Sequence, residues 1–158
     1  FVRPIPKAER ANLIEAFNKR LTGKDELSRM AAAKAWSYWE AQCATLRPNH
    51  LLVDHYGEPR TALSMARIAA HYFVNHSFLE PNQILGAMDK ISHIPGIIIH
   101  GRYDMVCPLE NATELSRLWE NAGLNIIREA GHSSREPGIE DALVRATEEM
   151  AAILGFSH

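Results

Sequence analysis

The stretch that decides the fold is PGIIIHGRYDMVCP, at residues 95–108. Its β-branched run at residues 97–99, introduced by a proline and a glycine, is typical of a strand buried on both faces. The next residues, GRYD at 101–104, form the loop that leaves the strand. The stretch therefore predicts a buried strand with a carboxylate, Asp104, directly beyond its carboxyl end.

A second strand and two helices follow this stretch in regular alternation. A helix is predicted over residues 108–122, ending at Gly123, and a short strand over residues 124–127. A loop at 131–138 leads to a final amphipathic helix at 139–154. Strands and helices alternating at this spacing indicate a parallel sheet. Because two parallel strands are too few for a stable sheet, we expect them to be the edge of a larger sheet whose other strands lie outside this sequence.

The first 92 residues follow a different pattern, with no convincing strand. The sequence predicts four helices there, at residues 7–21, 25–46, 61–75 and 81–91. The chain is therefore expected to divide into a helical domain at 1–92 and part of an α/β domain at 93–158. Its predicted fold class is α/β.

The composition is close to the average of soluble domains: 46% of the 158 residues are hydrophobic, 23% are charged, and the net charge is −2. The absence of a basic excess argues against a nucleic-acid partner, and no apolar run approaches the length of a membrane span. Two cysteines, Cys43 and Cys107, fit a reducing compartment, so we expect a cytoplasmic protein. The chain starts at Phe1 without an initiator methionine, and we expect that a preceding segment has been removed.

Two residues that could take part in catalysis follow the predicted strands. Asp104 lies beyond the first strand, and His132 lies in the loop beyond the second. Because open α/β sheets collect functional groups at the carboxyl ends of their strands, we expect both side chains at one edge. An acid that orients a histidine, which in turn takes a proton from a nucleophile, is the general scheme of nucleophilic hydrolysis. On spacing alone, however, Asp104 is more often a turn or helix-cap residue, and His132 a surface loop residue.

Residues 95–108, together with AGHSSREPG at 130–138, resemble the C-terminal end of an α/β-hydrolase, and more narrowly that of the proline iminopeptidases. The helical part of the chain agrees with this. Its segments AAAKAWSYWEAQCATLRP at 31–48 and ARIAAHYFVNHSFLE at 66–80 are similar to the cap domain of that family. The resemblance therefore covers nearly the whole chain.

The resemblance implies both a fold and a reaction. Residues 1–92 would be a helical cap domain, and residues 93–158 the C-terminal part of the hydrolase core. The family releases N-terminal proline from peptides and needs neither a metal nor an organic cofactor. By position, Asp104 would be the acid of the catalytic triad and His132 its general base.

The third member of that triad is missing from the sequence. The family places its serine nucleophile on a Gly-x-Ser-x-Gly turn, and none of the nine serines of this chain has glycine at both −2 and +2. We therefore expect the chain to be inactive alone. Its expected partners are the missing N-terminal half of the same enzyme and a peptide with an N-terminal proline.

Recognition of an N-terminal proline needs an apolar slot for the ring and a carboxylate for the charged amine. Trp36, Trp39 and Glu40 share one face of the second predicted helix by the i, i+3, i+4 rule. The pattern alone favours a glutamate at the edge of an aromatic stripe, solvated or paired with a lysine or arginine. The resemblance instead makes Glu40 the residue that holds the substrate amine, with Trp39 beside it.

Two further positions bear on the substrate. Ala69 stands where the resemblance places a second amine-binding glutamate, and this departure leaves the substrate specificity open. Cys107 follows Asp104 by three residues. It is either a thiol whose modification would disturb the active site or an inert small apolar side chain.

The remaining alternatives concern metals and the class of function. The pairs His50/His55 and His71/His76 are each five residues apart, which separates their side chains on a helix, and no His-Glu-x-x-His is present. We therefore expect no metal site. The chain is part of a proline iminopeptidase, part of an α/β-hydrolase with another substrate, or a non-catalytic helical interaction module.

Overall fold

The computed structural model describes residues 1–155, which form two compact units. The helical unit consists of Phe1–Gln42 and Pro48–Pro81, and the sheet unit consists of Cys43–Arg47 and the chain from Asn82 onward. The domain boundary expected at residue 92 stays a prediction. No helix within residues 1–155 combines the length and the apolar character needed to cross a membrane.

Most of the helical unit is α-helix, with helices that start at recognisable residues. The helices are α1 (Leu13–Leu21), α2 (Glu26–Cys43), α3 (His50–Gly57) and α4 (Pro59–Val74), with 3₁₀ turns at Lys7–Glu9 and His76–Phe78. The side chain of Asn12 accepts a hydrogen bond from the Glu15 N–H at the start of α1, and that of Asn49 accepts from the Leu52 N–H at the start of α3. Pro59 occupies the first position of α4, where a missing N–H costs nothing.

The core of the helical unit combines a few large side chains with many alanines. Phe17 of α1 and Trp36 of α2 are almost completely buried, and their rings meet edge to face with centroids 5.2 Å apart. The Ser37 hydroxyl of α2 donates a hydrogen bond to the Ala62 carbonyl of α4 at 3.1 Å. Such an approach of side chain to backbone requires small residues, and the buried alanines of α2 and α4 supply them: Ala32, Ala33, Ala62, Ala66 and Ala70.

The sheet unit is built from two βα segments. Its elements are a 3₁₀ turn at Leu85–Lys90, β1 (Gly96–Gly101), α5 (Leu109–Leu118), β2 (Ala122–Ile127) and α6 (Pro137–Ile153). The strands pair in parallel, with Gly96 opposite Ala122 and Gly101 opposite Ile127, so both strands end at the same level. Within residues 1–155 the sheet has these two strands, and their parallel order is the one that the sequence predicts.

The prediction of a helix over residues 108–122 that ends at Gly123 is wrong at its C-terminal end. Helix α5 ends at Leu118, and Gly123 lies inside β2. The physical reason is Trp119, whose indole ring packs so closely on Gly96 that a Cβ there would lie 2.6 Å from the ring. Helix α5 therefore ends before Trp119, because this ring packs over the start of β1.

Three predictions for the first half also need correction. Helix α3 lies between the helices predicted at 25–46 and 61–75, where the sequence predicts none, and the Asn49 side chain caps its start. The first α-helix begins after Asn12 rather than at residue 7. The helix predicted at 81–91 forms only the 3₁₀ turn at Leu85–Lys90.

Candidate functional site

Asp104 and His132 meet at the carboxyl ends of β1 and β2. His132 Nδ1 lies 2.9 Å from Asp104 Oδ2, so the imidazole N–H donates to the ionised carboxylate. The two residues are 28 positions apart in the sequence, and the equal ending of the two strands brings their loops together. The predicted neighbourhood of these two side chains is therefore present in the structure.

Asp104 is held by more than the histidine. Its other carboxylate oxygen, Oδ1, accepts hydrogen bonds from the Val106 N–H at 2.9 Å and the Cys107 N–H at 2.8 Å. Burial, the largest single influence, acts to raise the pKa of Asp104, but the hydrogen bonds from Cys107, His132 and Val106 together outweigh it. The pKa of Asp104 consequently lies below its ordinary value, and the carboxylate stays charged at neutral pH.

The loop after β1 is fixed to the loop after β2 by backbone contacts. The Arg102 N–H donates to the Ile127 carbonyl, and the Tyr103 N–H donates to the Ala130 carbonyl, both at 2.9 Å. Gly101 lies so close to the second loop that a Cβ on it would stand 1.9 Å from the Gly131 carbonyl oxygen. A glycine is therefore required at the end of β1 for the two loops to approach.

The histidine side chain is positioned through its backbone. The N–H groups of His132 and Ser133 both donate to the Ala44 carbonyl, at 3.0 and 2.7 Å. The ring itself is 41% exposed, whereas the Asp104 side chain is only 5% exposed. With Nδ1 turned to Asp104, Nε2 is the nitrogen that can accept a proton from a nucleophile.

A second histidine, which the sequence reasoning missed, lies beside the acid. His100 Nε2 is 3.7 Å from Asp104 Oδ2 and 3.0 Å from the Cys107 carbonyl oxygen. Its side chain is mostly buried at the end of β1. The available signal was its position, four residues before Asp104 and directly before the glycine that ends the strand.

Cys107 is the third residue of this cluster. Burial, and after it the negative charge of Asp104, raise the pKa of the Cys107 thiol, so it stays protonated at neutral pH. Cys43 and Cys107 are both free thiols. Asp104, Cys107 and His132 each offer one ligand atom within 4.8 Å of the others, and among residues 1–155 they are the group that could hold a metal ion. An ion there would replace the proton that joins His132 to Asp104, so we assign the cluster no metal role.

The predicted amine-binding residues lie on helix α2 in the helical unit. The Trp36 indole N–H donates to Glu40 Oε1 at 2.8 Å, which confirms that these residues share one helix face. Trp39 is 42% exposed. A pocket of about 490 Å³ opens beside the two tryptophans, and its walls are Phe1, Trp36, Trp39, Phe73 and residues 10–14. Four of its nine lining residues are aromatic, and Arg10 and Asn12 are the polar ones.

The structure thus groups the predicted site residues in two places. Asp104, Cys107 and His132 form one cluster in the sheet unit, and Trp39 and Glu40 are consecutive residues of α2 in the helical unit. Ala69, on α4, packs partly buried against the core of the helical unit. The substrate contacts expected of Glu40, Trp39, Ala69 and Cys107, and the catalytic roles of Asp104 and His132, stay predictions.

The sheet unit consists of parallel βα segments with an acid–histidine pair at the carboxyl ends of the strands, and the chain also has a helical unit. These features define the fold class of this protein. It has the fold of the C-terminal part of an α/β-hydrolase with a helical cap, which is the fold class that the sequence predicts.

Among known proteins, the chain is similar in sequence to proline iminopeptidases. The chain is 48% identical over 149 residues to a proline iminopeptidase of Xylella fastidiosa (strain 9a5c), a match that covers 94% of this chain and 48% of that protein. It is 47% identical over 152 residues to the proline iminopeptidase of Xanthomonas citri, covering 96% of this chain and 49% of that protein. The predicted resemblance to the proline iminopeptidases is therefore confirmed, and the chain spans about half the length of these curated relatives.

Among solved structures, an esterase (EaEST) from Exiguobacterium antarcticum aligns with 90% of this chain and 47% of its own, with a TM-score of 0.46 and 18% sequence identity. No protein-family model matches the chain.

Proposed function

We propose that this chain is the part of a serine aminopeptidase that carries the acid and the base for releasing N-terminal proline from peptides. The observation that carries the proposal is the 2.9 Å contact between His132 Nδ1 and Asp104 Oδ2, in a chain nearly half identical to proline iminopeptidases. His132 takes the proton of a serine hydroxyl on Nε2 and later delivers it to the leaving amine. Asp104 keeps the imidazole in the tautomer that can do so and stabilises the imidazolium.

The nucleophile belongs to a partner segment in this proposal. The chain has no serine on a Gly-x-Ser-x-Gly turn, so the serine would come from the remaining half of a hydrolase of the relatives' length. Within residues 1–155, β1 pairs with β2 alone. The other edge of β1 is therefore where the further strands of a hydrolase sheet would add by backbone pairing.

The substrate proposed for this enzyme is a peptide with a free N-terminal proline. Its ring would enter the aromatic pocket lined by Trp36, Trp39 and Phe73. The carboxylate of Glu40, one residue from Trp39 and hydrogen-bonded by the Trp36 indole, would take the charged amine. No metal and no organic cofactor take part. The cytoplasmic location expected from the composition stays a prediction.

One observation favours a second candidate, an α/β-hydrolase with another substrate. Ala69 offers no carboxylate where the resemblance places a second amine-binding glutamate, and a site with one carboxylate binds a cationic amine less tightly. A broader range of amino-terminal residues, or an ester substrate, would follow from this. Comparison of kcat/KM for prolyl, alanyl and leucyl amides and for a simple ester separates the two candidates.

The test of the proposal compares histidine variants in the natural full-length protein that contains this chain. His132→Ala should lower kcat for a prolyl amide by about 10²- to 10⁴-fold, the usual contribution of a general base. His93→Ala, an exposed histidine of the same unit, is the matched control and should leave kcat unchanged. The isolated 158-residue chain should be inactive. Full activity of His132→Ala would refute the assignment.

A further inference from the structure

Glu136 is a buried acidic residue of the sheet unit, with 9% of its surface exposed. It stands at the start of α6, where its carbonyl accepts hydrogen bonds from the Ile139 and Glu140 N–H groups at 2.9 and 3.0 Å. Its side chain makes no hydrogen bond with the helix that it begins. The carboxylate must therefore be buried for a reason other than capping α6.

The carboxylate is occupied by two backbone groups from distant parts of the chain. Oε1 accepts from the Gly131 N–H, in a buried hydrogen bond, and Oε2 accepts from the Leu46 N–H at 3.2 Å. Leu46 is 90 positions away in the sequence. Within residues 1–155, Glu136 forms no ion pair with a lysine or arginine, and its carboxylate is hydrogen-bonded by backbone donors.

Both donors lie beside the hydrogen bonds that hold the loop carrying His132. Gly131 directly precedes His132, and Leu46 lies two residues beyond Ala44, whose carbonyl accepts from the His132 and Ser133 N–H groups. A Cβ added at Gly131 would lie 3.1 Å from both Glu136 Oε1 and the Leu46 nitrogen. Residues 44–46, 131–133 and Glu136 thus form one closely packed set of hydrogen bonds, which we call the histidine anchor.

We propose that Glu136 is a positioning residue for the candidate base. Fixed directly before the first turn of a 17-residue helix, its carboxylate sets the position of Gly131 and of residues 44–46, and so holds His132 Nδ1 within hydrogen-bond distance of Asp104. Its two carboxylate oxygens are occupied by backbone N–H groups, so the proposal gives it no direct part in the reaction. The structural part of this inference stands on the geometry alone, and only its effect on catalysis rests on the proposed function.

The test uses Glu136→Gln, with Glu140→Gln as a matched control. Glutamine keeps the size of the side chain but has one acceptor oxygen, and its amide group would face an N–H donor, so one of the two contacts must break. Glu140 lies one turn further along α6 and is exposed. The spectroscopic readout is the NMR resonance of the hydrogen-bonded His132 Nδ1 proton, identified by its loss in Asp104→Asn.

We expect Glu136→Gln to weaken or abolish this proton resonance in protein that is folded by circular dichroism, and Glu140→Gln to preserve it. In the natural full-length protein we expect kcat for a prolyl amide to fall by about 10- to 100-fold, because a misplacement of about 1 Å is worth up to that factor. KM should change by less than about twofold, since Glu136 makes no contact with substrate. An unchanged resonance in folded Glu136→Gln overturns the proposal.

A measurement on the unaltered protein covers the case in which Glu136→Gln does not fold. The amide protons of Gly131 and Leu46 should exchange slowly with solvent, because a buried carboxylate holds both. Rapid exchange of either one overturns the proposal. If the resonance responds to Glu136→Gln while the unaltered protein does not cleave prolyl amides, the proposed substrate is wrong and the positioning role stands.

Discussion

Replacing Gly101 with alanine tests the closest contact of the candidate site. The new Cβ would stand 1.9 Å from the Gly131 carbonyl oxygen and 2.8 Å from the Ala130 carbonyl oxygen. Ordinary van der Waals contact of a Cβ begins at 3.4 Å. The end of β1 and the loop that carries His132 must therefore separate by about 1.5 Å. Because both neighbours are backbone atoms, no rotation of a side chain can relieve this clash.

The separation has a cost in stability and a cost in geometry. Overpacking of this kind costs about 3 kcal/mol of unfolding free energy at its upper range. For a chain of 158 residues this lowers the Tm by roughly 6–12 °C. The His132–Asp104 contact, now 2.9 Å, spans the same two loops and should open with them. We therefore expect a lower Tm together with loss of the His132 Nδ1 proton resonance.

The matched control is Gly123→Ala in the neighbouring strand. A Cβ at Gly123 would meet nothing within 4 Å, and alanine fits its backbone conformation. Urea and thermal unfolding of the two variants, followed by circular dichroism, measure the difference directly. Equal Tm values for Gly101→Ala and Gly123→Ala would refute the argument from close approach.

Three more predictions concern Asp104, Cys107 and Ala69. The lowered pKa of Asp104 means that its charge stabilises the fold above the unfolded-state pKa of about 4 and that this contribution is lost as the pH falls through the folded-state value. Asp104→Asn should therefore be destabilising at pH 7 and progressively less so below pH 4 in urea unfolding; a constant difference across that range contradicts this. Because burial and the charge of Asp104 raise the pKa of the Cys107 thiol, its alkylation by iodoacetamide at pH 7 should be slower than that of N-acetylcysteine and faster in Asp104→Asn; equal rates would exclude the effect. Ala69→Glu should increase kcat/KM for prolyl amides in the full-length protein, whereas the uncharged control Ala69→Gln should not; no gain with glutamate removes the argument that a second carboxylate is missing there.

The acid–histidine pair could be predicted from the sequence because each of the two residues follows a strand that the neighbouring residues define. The β-branched run before Asp104 and the short strand before His132 each define a strand, and parallel strands of equal ending place the following loops side by side. The resemblance to a known family includes these two regions, at residues 95–108 and 130–138, and also the helical segments at 31–48 and 66–80. A reader of the sequence therefore needs no tertiary information to bring these two side chains together.

The supporting residues of the site could not be predicted in this way. Glu136 belongs to the site through the N–H of Leu46, 90 positions away, and no periodicity encodes a contact of a side chain with so distant a backbone group. His100 lies within a strand pattern that predicts burial but not which polar atoms it meets. The early end of α5 likewise depends on Trp119, whose indole N–H donates to the Ile94 carbonyl across the start of β1.

The histidine anchor also bears on how this protein folds. The bonds of residues 44–46 with residues 131–136 close a loop of nearly ninety residues, whereas β1 and β2 pair across only about twenty-six. The entropy lost in closing a loop increases with its length, so the strands can pair before the anchor forms. Interactions that form after the rate-limiting step control the rate of unfolding and leave the folding rate nearly unchanged. The hydrogen bonds that place His132 would then also determine how long the folded sheet unit survives.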